Sequence, residues 1–258
     1  MTVTRRGAWV STIPATAGSE AVTMPTHVAG DRLVVVELGK YQGATALTEA
    51  SGTWFSPAGR IAFATGQSNG NDSGTAHANI FIKDALSASE AITLVPGATA
   101  PNSWEFFAAA FPTPPNGWAD AVSAVPISSI VDTNTASPLS GTIPAFGAGA
   151  PSPGDMLCLF GVTPSDTGTA LGAVSLTNAG LSGGTVAGQL YAENALGQDT
   201  GSAVADWTGF TGAESGDYSA SMTITSSTAQ YGGLILIALR EAAGGAPAGF
   251  EGWGMPIS

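Results

Sequence analysis

Few residues in this 258-residue chain are of types that could do chemistry, and each has a competing structural role. Ser68 stands in Gly66-Gln67-Ser68-Asn69-Gly70, the Gly-x-Ser-x-Gly spacing of a hydrolase nucleophile elbow, just after the apolar stretch IAFAT. An elbow needs a helix directly after the serine, to supply an oxyanion-hole amide, and then an acid and a histidine in chain order. Here a turn follows, Asn71-Asp72-Ser73-Gly74, and His77 is the only histidine downstream. The segment therefore reads as a hairpin turn, no catalytic residue is assigned, and the chain is expected not to be an enzyme.

The oxygen-bearing residues Asn69, Asn71 and Asp72, with Asp199 later in the chain, are of a kind that binds calcium. Their spacing matches no defined calcium loop, and Asx side chains in turns usually cap their own backbone. His27 and His77 are far apart and lack a metal-ligand context. The expectation is no metal and no cofactor. Cys158 is the single cysteine, set in Met156-Leu157-Cys158-Leu159-Phe160, so it reads as a small buried hydrophobe. Of six Trp residues, Trp54 and Trp118 lie near Gly and Pro in loops, which makes them the candidates for a sugar-stacking platform.

The elements that carry these residues read as strands. Apolar runs of four to eight residues, bounded by Gly, Pro, Asn or Asp, recur at sandwich-like intervals, and no helical pattern of convincing length appears. The order of these runs repeats. Ser11 to Ile13 echoes Ser128 to Ile130, and Thr23 to Pro25 echoes Thr142 to Pro144. Gly30-Asp31 and Gly154-Asp155 each open an unbroken apolar run. WEFFAAAF (Trp104 to Phe111) matches GLILIAL (Gly233 to Leu239) in the repeat, and because the latter reads as a strand both are read as strands. The expectation is an all-β chain of two tandem jelly-roll-like β-sandwiches from an internal duplication, residues 1–122 and 123–245, followed by an extended tail, 246–258.

The runs after the two Gly-Asp pairs do not alternate with polar residues. Leu33 and Val35 point one way; Val34, Val36 and Leu38 point the other, and in the second copy Cys158, Phe160 and Val162 take the latter set. A strand apolar on both faces must be covered on both, by the other copy or by a neighbouring subunit.

Charge narrows the partners. The formal net charge is −12, from 19 acids against 7 Lys and Arg, and Arg5-Arg6 is the largest basic cluster, so no cationic stripe is available for nucleic acid. The longest apolar stretch, Leu234 to Leu239, is too short to cross a bilayer, and no apolar segment follows Arg5-Arg6 as a secretory signal would require. The tail places Phe250, Trp253, Met255 and Ile257 within eight residues, the last three at alternate positions, which suits an arm that docks on a partner.

The Gly-Asp opening with its apolar strand, SGDYSASMTITSS (Ser215 to Ser227) and the closing GGLILIALREA together resemble a module of virion proteins of tailed bacteriophages, especially those of actinobacterial hosts. The second copy lacks the Gly-Trp segment of that pattern, and the first has Gly117-Trp118 only after its last strand. The resemblance implies a minor tail or capsid-decoration protein, made in a host bacterial cytoplasm and residing in the virion. It would assemble with itself as a homo-oligomer and with capsid or tail proteins. The alternative is a glycan-binding adhesin or carbohydrate-binding module acting on a host-surface glycan.

Overall fold

The computed structural model describes residues 2–14, 18–41, 47–63, 68–69, 72–73, 75–96, 103–132, 138–163, 168–194, 200–226 and 232–243. The chain is all-β. The first half contributes β1 (Val10–Thr12), β2 (Glu20–Ala21), β3 (Arg32–Tyr41), β4 (Thr48–Glu49), β5 (Arg60–Ala62), β6 (Ser68–Asn69), β7 (Asp72–Ser73), β8 (Thr75–Asp84), β9 (Thr93–Val95) and β10 (Ser103–Phe111). The second contributes β11 (Ile127–Asp132), β12 (Leu139–Ile143), β13 (Met156–Thr163), β14 (Gly168–Asn178), β15 (Leu181–Ser182), β16 (Thr185–Asn194), β17 (Thr200–Thr208), β18 (Thr211–Gly212), β19 (Tyr218–Ser226) and β20 (Gly232–Leu239).

The two halves use one strand order. A five-stranded sheet β1-β10-β3-β8-β5 and a three-stranded sheet β2-β9-β4 in the first half correspond strand for strand to β11-β20-β13-β17-β16 and β12-β19-β14 in the second. This resembles jelly-roll order, with β5 and β16 at the edge of the larger sheet instead of in the smaller one. β6 pairs with β7 and β15 with β18 as short ladders, and all named pairs are antiparallel. WEFFAAAF is a strand. Its register places Phe111 opposite Arg32, as Leu239 lies opposite Met156. One sequence match shifts: with Val34 equivalent to Cys158, Ser11 opposite Phe107 corresponds to Ser129 opposite Ile235, not to Ser128.

The Gly-Asp openings are the same turn built twice. Gly30 has φ +91° and Gly154 φ +99°, the third position of a type II turn, preceded by Ala29 and by the favoured Pro153. The Asp31 N–H donates to Val28 O at 3.2 Å, and that of Asp155 to Ser152 O at 3.1 Å. Each carboxylate then accepts the amide three residues upstream, from Val28 at 3.0 Å and Ser152 at 2.7 Å.

Four layers result. Leu33 and Val35 pack into a core between the first half's two sheets, and Leu157 and Leu159 into the equivalent core of the second. Val34, Val36 and Leu38 meet Cys158, Phe160 and Val162 in a third core between the two large sheets. The second apolar face of each Gly-Asp strand is thus covered by the other half. β1 lies near β16, β10 near β16 and β17, and β8 near β13 and β20, while Phe63, just after β5, packs on Gly233 of β20. The strand order therefore runs in reverse across the interface.

The segment before β1 stitches this interface. Arg5 Nε donates to Asp206 of the second half at 2.8 Å, while Arg6 forms a bidentate pair with Asp31 of the first at 2.6 and 2.9 Å. Trp9 donates its indole N–H to Asp206 at 2.7 Å and sets its ring edge-on to Phe111 and Phe160, at 5.9 and 5.5 Å. At the far end, the connection after β10 pairs with the end of β20: Ala119 N–H donates to Arg240 O, and Arg240 clasps Asp120 at 2.9 and 2.5 Å. Among the described residues no helix is long and apolar enough to cross a membrane.

Candidate assembly surface

The residues singled out for chemistry are placed as follows. The backbone at Ser68 runs into the β6–β7 ladder, with Ser68 opposite Ser73 and Asn69 opposite Asp72, so a hairpin stands where an elbow would need a helix. Asn71 and Asp199 lie outside the described residues. Among those described, no group of three or more His, Cys, Asp and Glu side chains is placed to hold a metal. His27 sets Nδ1 against Pro25 O at 2.7 Å and accepts the Glu90 N–H on Nε2 at 3.0 Å, which holds the loop before β3 against the one after β8. Cys158 is fully buried, and burial beside Asp206 pushes its thiol up.

Of the two candidate sugar platforms, Trp54 is buried and Trp118 half-buried. Trp54 is 7% exposed, packs in the first half's core, donates Nε1 to Ala91 O at 3.2 Å and carries Lys83 over its ring. Trp118 is half-buried and packs against the inter-sheet core, with the Arg32 guanidinium 4.5 Å from its ring centroid. Gly and Pro nearby mark a loop in sequence, but both loops fold back onto the sheets. Phe250, Trp253, Met255 and Ile257 lie outside the described residues.

The sequence reading passed over a buried polar cluster in the first half. Glu37 on β3 faces His77 Nε2 at 3.0 Å and accepts from Asn79 Nδ2 at 2.8 Å; the other ring nitrogen of His77 faces Thr75 O at 3.3 Å. All three residues are almost wholly excluded from solvent. Gly39 makes room for them, because a Cβ there would lie 2.6 Å from Glu37 Oε1 and 2.8 Å from Ser103 O. In the second half the position matching Glu37 is Gly161, whose space is taken by Met222 and Leu234. Across the inter-sheet core Ser202 donates to Glu105 at 2.9 Å and Ser103 bonds Thr200. A charge inside an apolar run, VVVELGKY, was the available signal.

On the outside, the second half's small sheet presents an uncharged, hydroxyl-lined face. Leu139, Ile143, Tyr218, Ala220, Met222 and Ile224 point inward. By register Ser140, Ser221 and Ser175 form one cross-strand row, and Thr142, Ser219 and Thr177 the next. Rows of this kind stand about 6.8 Å apart along the strands, with about 4.8 Å between strands. Ser175 and Ser221 are joined hydroxyl to hydroxyl at 2.8 Å. Two clefts of about 380 and 390 Å³ flank Arg240, but the Asp120 pairing already engages its guanidinium. Comparisons with protein-family models, with curated proteins and with solved structures found no match.

Proposed function

We propose that this chain is a non-catalytic structural protein that acts through protein–protein assembly, of the minor-tail or capsid-decoration kind found in tailed-bacteriophage virions. The observation that carries this reading is where the ionisable groups go. Arg5, Arg6, Arg32 and Arg240 are each tied to Asp206, Asp31, Asp84 and Asp120, and Glu37 and His77 are closed inside a sheet sandwich. Here such groups tie neighbouring strands and loops to one another, and the strands of the second half's small sheet carry no charge. The tail residues Phe250, Trp253, Met255 and Ile257 are proposed as a docking arm toward a neighbouring virion protein. The glycan-binding alternative has less support, since Trp54 and Trp118 are engaged in packing.

The test is co-fractionation. An antibody to this chain should detect it in particles banded on a density gradient, at a stoichiometric copy number. A chain that remains at the top of the gradient while particles band below it refutes the reading. Saturable binding on a neutral-glycan array, in a chain missing from particles, would establish the alternative.

A further inference from the structure

Resting on the assembly reading, we infer that the outer edge of β14, which pairs with no other described strand, is the contact through which a second copy of this chain docks, strand to strand and antiparallel. An unpaired edge strand offers a row of backbone donors and acceptors, and proteins that must stay apart blunt such edges with charge, proline or short length. β14 uses neither charge nor proline: Gly168–Asn178 contains no charged residue and no Pro, and it ends the sheet β12-β19-β14. Its two bulges fall before Val174, so Val174 to Asn178 runs in regular register.

The other sheet edges differ in length or charge: β12, the uncharged opposite edge of the same sheet, has five residues and lies beside β11. β1 and β5 have three residues each, and β2 and β4 have two and carry Glu20 and Glu49. β11 ends in Asp132. β16 contains Glu193, and Arg5 lies against its backbone at Ala187 and Gly188.

Charge selects the occupant. A second copy is as acidic as the first, at −12, so the two approach with least repulsion where neither carries charge. None of the residues of β12, β14 and β19 is charged. A two-fold axis beside β14 makes the contact self-complementary and closed, joining two three-stranded sheets into one of six strands.

The test uses the full chain in sedimentation velocity. Wild type should form a dimer that tightens as salt is raised, because the repulsion between like-charged chains is screened. Ser175 and Thr177 are exposed, so the double variant Ser175→Glu/Thr177→Glu should keep its unfolding temperature. It should dimerise at least about tenfold more weakly, through like charges set opposite one another. Ser219→Glu, on the same outer face but on the central strand, should dimerise as wild type does.

A monomeric wild type at the highest soluble concentration overturns the inference, as does a double variant that still dimerises normally. Loss of the dimer in Ser219→Glu would move the contact to the face of the sheet and overturn it as well. Failure here with the wild type still banding in particles leaves the assembly reading standing. A dimer broken by the double variant in a chain missing from particles does the reverse.

Discussion

Removing Trp9 should weaken the joint between the halves, and its pH dependence should identify the partner that is lost. The side chain is 4% exposed and is wedged between Phe111 of the first half and Phe160 of the second. Trp9→Ala deletes this ring and should cost about 3–5 kcal/mol. Trp9→Phe keeps most of the packing and removes the indole donor to Asp206, for a cost of about 1–3 kcal/mol. Burial raises the Asp206 carboxyl above its ordinary value, against the opposing effects of Arg5 and the indole N–H. A carboxyl raised in the folded state favours folding most below its unfolded pKa, about 3.9, and that contribution is lost as pH rises through the folded value. The indole N–H favours the ionised form, so the Trp9→Phe penalty should be largest near neutral pH and shrink on acidification toward about pH 4. Urea unfolding followed by circular dichroism at both pH values measures this. Because the halves share one core, each variant should unfold in a single transition. A Trp9→Phe penalty that does not change with pH, or two separate transitions, would refute the reasoning.

Three further outcomes are expected. Cys158→Val matches the residue at the equivalent position, Val34, and should cost less than about 1.5 kcal/mol, while the native thiol resists a water-soluble labelling reagent; rapid labelling would place it elsewhere. Gly39→Ala forces a methyl against Glu37 Oε1 and the Ser103 carbonyl and should lower stability by about 1–3 kcal/mol, so an unchanged denaturation midpoint would contradict the Glu37 geometry. On the assembly reading, deleting Gly249 to Ser258 should leave a folded chain that no longer co-fractionates with particles, checked by circular dichroism and a density gradient; unchanged co-fractionation would remove the tail arm.

Local pattern was enough to read the strands, the Gly-Asp turns and the two-faced apolar runs, because side-chain parity in a strand and φ at a turn glycine are set within a few residues. The parity of Val34, Val36 and Leu38 against Leu33 and Val35, and the matching Cys158, Phe160 and Val162, follow from sequence alone. What covers the second face does not: either the other half or another subunit satisfies the same pattern, and only the folded chain lays β3 against β13 and β17. The same holds for Glu37, His77 and Asn79, which lie 40 and 42 residues apart along the chain and meet through the β3–β8 register. Trp54 and Trp118 have loop neighbours in sequence, yet the tertiary fold turns them onto the sheets. β14 shows the limit most clearly, since its first-half counterpart is the two-residue β4, so the repeat could not foretell an eleven-residue edge. Which faces and edges remain open depends on contacts between residues distant in sequence, and those exist only once the layers have packed.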